Sequence, residues 1–249
     1  MHHSVFISTR QLKLLGGLLM KFLLVNDDGI HSERLHFAKK ILQKYGVVYT
    51  VAPLFEQSGK SVAISIRGIP FERKDDTTYA VDGTPADCVS FALYGLEIKP
   101  DVVVSGINKG FNIGIDTMYS GTVGAALQAA FHGYKSVAFS GDFKGETNVQ
   151  RYFEKTLKTI LENHLLSHDY ILNVNFPKEV FQDEAEIRHT KLYHVKMVLR
   201  GEVRQKNDRS FFYHSREILD QTIPKDSDVM ALREGAISIS KISLVRDCI

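Results

Sequence analysis

Residues 22–29 read Phe22-Leu23-Leu24-Val25-Asn26-Asp27-Asp28-Gly29. Four apolar residues with no polar alternation are the pattern of a strand buried on both faces, as in the middle of a parallel sheet. A polar turn stops that strand, and Ser32 then stands at a helix N-cap position. Leu35, Ala38, Ile41, Leu42 and Tyr45 follow at helical spacing, and Gly46 is expected to close the helix as its C′ residue. Val47 to Ala52 is the next β-rich run, so strand, helix and strand follow directly on one another.

The alternation continues outward. Ile64 to Phe71 and Tyr79 to Val81 flank the polar segment Arg73 to Thr78, the layout of a hairpin. Thr84-Pro85 opens a helix, with threonine as N-cap and proline in the first turn, and Cys88, Val89, Ala92, Leu93 and Leu96 form its apolar face. Val102 to Ser105 is a third buried strand, Thr122 to Phe131 a small-residue helix ending near Gly133, and Ser136 to Ser140 a fourth strand. Strands alternating with helices imply right-handed crossovers. The fold class is α/β, with a Rossmann-like three-layer core around a mostly parallel sheet. In the second half Asn148 to His164 fits a long amphipathic helix and Ile171 to Asn175 a strand. From Ile187 the pattern is β-rich and polar, with strands at His194 to Leu199, Ser210 to Tyr213 and Ile237 to Ile242, and a short helix within Asp226 to Arg233. This half should complete the sheet and send out an antiparallel excursion, about residues 185–249, that serves oligomerisation.

Composition sets the outer limits. The 249 residues are 44% hydrophobic and 24% charged, which excludes a disordered or low-complexity chain. Lys and Arg number 31 against 29 Asp and Glu, too balanced for binding nucleic acid by bulk charge. Two cysteines, Cys88 and Cys248, provide neither a disulfide framework nor a four-cysteine zinc site, and both read as free thiols in a reducing cytoplasm. Lys13 and Lys21 interrupt the apolar stretch Leu12 to Val25, so it reads neither as a secretion signal nor as a membrane span. Residues 1–19 lack a strand or helix pattern and read as an extension, with translation beginning near Met20 and residues 20–249 forming one α/β domain.

Ligands of parallel α/β sheets bind beyond the carboxyl ends of strands. There the first strand carries Asp27 and Asp28: either a solvated turn, or a pair of repelling carboxylates compensated by a hard cation such as Mg²⁺ or Mn²⁺. The second runs into Glu56-Gln57-Ser58-Gly59, a plain turn or a hydroxyl for a metal or anion. The third ends in Ser105-Gly106-Ile107-Asn108-Lys109-Gly110-Phe111-Asn112-Ile113-Gly114. Asn108 can supply a neutral oxygen ligand and Asn112 a donor to phosphate, unless both only serve the turn. Tyr119-Ser120-Gly121-Thr122-Val123-Gly124 opens a helix whose N-terminus can be capped, bind an anion, or both. Each signal alone is weak, but all four should meet on one rim of the sheet, which suits a metal-bound phosphate ester. No dinucleotide Gly-x-Gly-x-x-Gly follows the first strand, and no Walker motif or Gly-x-Ser-x-Gly nucleophile elbow occurs. His31 is expected as a supporting donor near the aspartates, whereas Asp82 and Asp87 read as turn and first-turn helix groups.

Five strings in order, Phe22 to His31 (FLLVNDDGIH), Val51 to Gly59 (VAPLFEQSG), Val81 to Val89 (VDGTPADCV), Asp101 to Asn108 (DVVVSGIN) and Tyr119 to Val123 (YSGTV), make the chain resemble the SurE family of metal-dependent 5′/3′-nucleotidases. The resemblance implies one Mg²⁺ or Mn²⁺ per subunit on Asp27, Asp28, Ser58 and Asn108. It implies substrate contacts at Asn112, Ser120, Gly121 and Thr122, with Asp27, Asp28, Asn112, Ser120 and Thr122 as the catalytic set. The implied substrate is a nucleoside monophosphate. The implied protein is cytoplasmic, binds neither membrane nor nucleic acid stably, and forms a homodimer or homotetramer that exchanges C-terminal elements. Two departures stand out. Ser32-Glu33-Arg34 replaces the family's small residue, proline and glycine, and Leu54-Phe55 replaces aspartate and arginine; both are expected to reshape the pocket mouth. Two other classes keep a place: a Rossmann-type nucleotide-dependent transferase or reductase, and a non-catalytic nucleotide-binding module.

Overall fold

The computed structural model describes residues 19–219 and 222–244. The chain runs through β1 (Met20–Val25), α1 (Glu33–Leu42), β2 (Gly46–Pro53), β3 (Phe71–Arg73), β4 (Thr78–Val81), α2 (Pro85–Ser90) and β5 (Val102–Lys109). It continues through α3 (Asp116–Tyr119), α4 (Gly121–Phe131), β6 (Ser136–Gly141), α5 (Glu146–Glu162), β7 (Tyr170–Phe176) and β8 (Ile187–Thr190). The last elements are β9 (Met197–Lys206), β10 (Arg209–Ile218), α6 (Asp228–Arg233) and β11 (Ile237–Ser243).

Nine strands form one sheet in the order β3-β4-β2-β1-β5-β6-β7-β11-β8, parallel except at the β3–β4 and β7–β11 pairs. β1 lies near its middle and is buried on both faces, as its apolar run requires. Phe22 and Leu24 pack on one side with Leu35, Ala38 and Leu42 of α1 and Phe153 and Leu157 of α5. Leu23 and Val25 pack on the other with Cys88 and Val89 of α2 and Ala125 and Ala129 of α4. Each such buried Leu or Phe contributes about 2 kcal/mol of transfer free energy. The result is the expected three-layer α/β core. From β1 the chain winds outward through β2 and β4, then returns to β5 on the other side of β1. The topological switch therefore falls between β1 and β5, where diverging loops leave a crevice.

Several local expectations need correcting. Ser32 is the N-cap of α1 by backbone position, but its buried hydroxyl makes no hydrogen bond among the described residues. Gly46 does not close α1; Gln43 is the C-cap, and Gly46 opens β2 opposite Met20. The first hairpin arm shrinks to Phe71–Arg73, which pairs antiparallel with β4, and Ile64 and Ile66 lie exposed outside it. α2 carries the capping box of Thr84 and Asp87, yet ends at Ser90 and widens into a π-turn over Phe91–Gly95. The strands expected at His194 to Leu199 and Ser210 to Tyr213 are one longer hairpin, β9–β10, forming a sheet of its own. Asn207 and Asp208 both take positive φ at its tip, the turn chemistry that matches strand twist. Cys248 and residues 1–18 of the expected N-terminal extension lie outside the described residues.

The third strand does not end at Ser105. It passes through an irregularity between Ser105 and Asn108 and pairs again with β6, Asn108 opposite Ser140. Gly106 makes this possible: its φ is +122°, and a Cβ there would lie 2.3 Å from the carbonyl oxygen of Phe139. Gly106→Ala is expected to destabilise the protein by about 3 kcal/mol, read as a lower midpoint in urea unfolding. A loss of only a few tenths would show that the irregularity relaxes freely.

Candidate functional site at the carboxyl edge of the sheet

Asp27 leaves β1 and is buried. Thr122 of α4 donates twice to it, from Oγ1 to Oδ1 at 2.5 Å and from its N–H to Oδ2 at 3.1 Å. The helix can come this close because residue 121 is glycine; a Cβ would lie 2.9 Å from Asp27 Cβ. Ser120 caps α4, its Oγ accepting the Val123 N–H at 3.1 Å. The anion expected at this N-terminus is thus, in the folded chain, the carboxylate of Asp27 itself. The helix end and Thr122 favour the charged form. Burial outweighs them and, with the neighbouring charge of Asp28, pushes the Asp27 carboxyl up to about 6.

Asp28 is half-buried and accepts the Lys109 N–H on Oδ2 at 3.2 Å. That bond ties the end of β1 to the end of β5 across the switch point. Burial also raises the Asp28 carboxyl; the Lys109 N–H and the charges of Lys109 and Arg34 oppose the rise, while Glu56 adds to it. Asn108 follows the irregularity of β5. Its Nδ2 donates to the Gly110 carbonyl at 3.0 Å, which fixes the amide and leaves Oδ1 with no donor among the described residues. Ser58 sits on an exposed loop pinned to the rim by Gln57 N–H donating to Asp27 O at 2.7 Å and Ser61 N–H to Tyr119 O at 2.9 Å. Its hydroxyl donates outward, to Glu56 Oε1 at 2.8 Å.

Asn112 occupies a deeper layer. Its Nδ2 donates to Ser140 Oγ at 2.8 Å, its N–H to Asn175 Oδ1 at 2.8 Å, and its carbonyl accepts from Asn173 and Asn175 of β7. These bonds pin the segment after β5 to the sheet. The fold therefore brings Asp27, Asp28, Asn108, Ser120, Gly121 and Thr122 onto one rim. It places Ser58 on the adjoining loop, turned to Glu56, and Asn112 behind the rim. His31 is exposed and makes no hydrogen bond to the aspartates among the described residues, so the supporting contact expected of it is not seen there. Arg34 does not shape a mouth either: it is 1% exposed and lies beneath Asn108, to whose carbonyl it donates. Phe55 is exposed on the loop before Ser58.

Four participants escaped the sequence reading: Glu56, Arg34, Ser140 and Asn175. Two had a signal. Asn173 and Asn175 are polar at alternate positions of an otherwise apolar buried strand, and Arg34 shares a helical face with Ala38, Ile41 and Tyr45. Among the described residues no three His, Cys, Asp or Glu side chains come together. The rim thus offers no imidazole or thiolate cluster, but two carboxylates, an amide oxygen and a nearby hydroxyl. This all-oxygen set, with one buried and one half-buried carboxylate incompletely neutralised, fits a hard divalent cation.

An α/β protein with a two-carboxylate, oxygen-rich rim at the switch point of its sheet is the class these features define. The family model described as Survival protein SurE matches residues 22–198. The chain is 39% identical to the 5′-nucleotidase SurE of Leptospira interrogans over 90% of this chain and 92% of that one. It is 37% identical to the 5′-nucleotidase SurE of Methanospirillum hungatei over 91% and 86%. The crystal structure of Sure protein from Aquifex aeolicus superposes with a TM-score of 0.78 at 31% identity, covering 92% of this chain and 95% of that one. The chain belongs to the SurE family.

A carboxyl held above its unfolded value stabilises the fold when protonated, and that contribution is lost as pH rises through the folded value. For Asp27 the window runs from about pH 4, the unfolded value, to about 6. In EDTA, the stability of the wild type relative to Asp27→Asn should fall by about 3 kcal/mol across that window and flatten above it. Urea titrations at stepped pH measure this. A difference that stays constant would mean that burial does not hold the carboxyl up.

Proposed function

We propose that the chain is a divalent-cation-dependent phosphomonoesterase that releases phosphate from nucleoside 5′-monophosphates, and from 3′-monophosphates as a further substrate class. The observation that carries this reading is the adjacent pair of Asp27, buried, and Asp28, half-buried, on the rim that also carries Asn108, whose Oδ1 has no donor among the described residues. The shared name of the relatives supports nucleotidase activity. Asp27, Asp28 and Asn108 would hold one Mg²⁺ or Mn²⁺, with Ser58 joining once its hydroxyl turns from Glu56. A bound cation would supply Lewis acidity towards a phosphate oxygen and lower the pKa of an attacking water.

The chain's own residues supply the rest. Asp27 or Asp28 orients the water and accepts its proton. With Thr122 N–H held by Asp27 and Val123 N–H by Ser120, the Gly121 N–H is the first-turn donor left for a phosphate oxygen. Thr122 keeps Asp27 aligned, and in this reading Asn112, behind the rim, contacts the substrate phosphate with the amide hydrogen not given to Ser140. Donors fixed in advance favour the charge of the transition state without reorganising. Beside the rim a groove of about 880 Å³ runs between Gly59 and Tyr119 on one wall and Leu199, Phe212 and Arg216 of the β9–β10 hairpin on the other. It has room for the nucleoside.

Leu199, Val203 and Phe212 share one face of that hairpin and are all exposed. In this reading the hairpin joins subunits into a homodimer or homotetramer. Among the described residues no helix is long and apolar enough to cross a membrane. Cys88 is a free, buried thiol, which suits the cytoplasmic location that belongs to the same reading.

Phosphate release from nucleoside monophosphates should require Mn²⁺ or Mg²⁺, stop in EDTA and return when metal is restored. Asp28→Ala should lower kcat about a thousandfold while the circular dichroism spectrum is unchanged. Full turnover in EDTA, or an active Asp28→Ala protein, overturns the reading; binding without turnover would favour a nucleotide-binding module. Phe212→Asp should reduce the mass found by light scattering, whereas an unchanged oligomer would exclude this face from the interface.

A further inference from the structure

We propose that Arg34 is a positioning residue that fixes the Asn108–Lys109 peptide, and through it both Asn108 and Asp28; the proposal rests on the reading of these two residues as cation ligands. Arg34 is buried at the start of α1. Its Nη1 donates to the carbonyl oxygens of Asn108 at 2.6 Å and Gly141 at 3.2 Å, its Nη2 to Asp142 O at 2.6 Å, and its Nε to Glu146 Oε1 at 2.8 Å. One planar fork therefore joins the carboxyl ends of β5 and β6 to the start of α5.

The Asn108 carbonyl and the Lys109 N–H belong to one trans peptide unit, so they point in opposite directions. The carbonyl meets Arg34, and the N–H meets Asp28 Oδ2 at 3.2 Å. A cation on the oxygen of a peptide polarises it and strengthens the donor at its other end. Arg34 thus sets the plane that carries the Asn108 side chain and steers the Asp28 carboxylate. The fork grips β5 where the strand resumes pairing after the irregularity at Gly106.

Stability alone does not account for the residue. A buried cation costs several kcal/mol of desolvation, and an apolar side chain often packs as well. Arg34 has one carboxylate partner, Glu146, whose side chain is 45% exposed, and its other three acceptors are backbone carbonyls. Lysine keeps the charge but cannot present a planar fork to several acceptors at once.

The test is calorimetric titration of Mn²⁺ into the full chain, wild type against Arg34→Lys, Arg34→Met and Glu146→Gln, at a temperature where each is folded by circular dichroism. Arg34→Lys should weaken Mn²⁺ binding about tenfold, and Arg34→Met by more than about tenfold. Removing a positive charge would by itself tighten cation binding, so weaker binding in Arg34→Met reports lost geometry. Glu146→Gln removes the charge on the far side of the fork without touching Asn108; it should lower Tm but keep Mn²⁺ affinity within about twofold. At saturating Mn²⁺, Arg34→Lys should lower kcat and leave KM nearly unchanged. Unaltered or tighter Mn²⁺ binding in Arg34→Lys and Arg34→Met overturns the proposal. So does a loss in Glu146→Gln equal to that in Arg34→Lys, which would mean a general structural role. If Arg34→Met does not fold, Arg34→Lys and Glu146→Gln decide. A wild type that binds no Mn²⁺ would instead sink the cation reading itself.

Discussion

The carboxylate of Asp27 sits at the positive end of α4, and the rest of the site is arranged around keeping it there. Thr122 holds both oxygens, Gly121 lets the helix approach, and Ser120 takes the N–H that follows. These contacts stabilise a negative charge that burial opposes. The opposition is not fully relieved, since the carboxyl remains raised with burial as its leading cause. A second carboxylate one residue on, also raised, deepens the imbalance. A protein selected for stability alone would not place two adjacent acids in a half-closed crevice. In the function proposed above, a bound cation would relieve that imbalance.

Topology supplies the crevice. β1 and β5 are neighbours, but the connections that leave them run to opposite sides of the sheet, so their loops separate. The rim is then closed from outside by the loop at residues 54–61, bonded to Asp27 on one side and to Tyr119 on the other. Behind it, Asn173 and Asn175 of β7 grip the backbone of Asn112 and anchor the segment that follows β5. Buried amides of this kind are costly unless bonded, and once bonded they admit few alternative positions for what they hold. The front of the site can thus be loop while its foundation stays rigid.

Arg34 belongs to the same logic. The desolvation of its guanidinium is offset by three backbone carbonyls, two of which, Gly141 and Asp142, also accept the Gly110 and Gly145 N–H groups, and by one carboxylate. A charge buried for the sake of three carbonyl oxygens is better suited to specifying geometry than to adding stability. The β9–β10 hairpin is the opposite case. It forms a sheet of its own, and its apolar residues stay exposed in the isolated chain, so its packing depends on what stands next to it.

The sequence by itself determined the order of strands and helices through β7 except the short helix α3, the burial of β1 on both faces, and the residues whose chemistry gathers at the rim. Those features rest on local causes: unbroken apolar runs, helical spacing, cap residues and turn chemistry, all legible along the chain. Only the tertiary structure decided how each rim residue is used. Thr122 and Asp27 are far apart in sequence and meet because the sheet brings β1 beside α4. Asn108 lies in a strand, not a loop, because β5 resumes pairing with β6 after Gly106. Asn112 turns inward to Ser140, Ser58 outward to Glu56, and Arg34 beneath Asn108. A polar side chain takes its partner from whatever acceptor the fold delivers within about 3 Å, and that depends on non-local packing which no window of sequence contains.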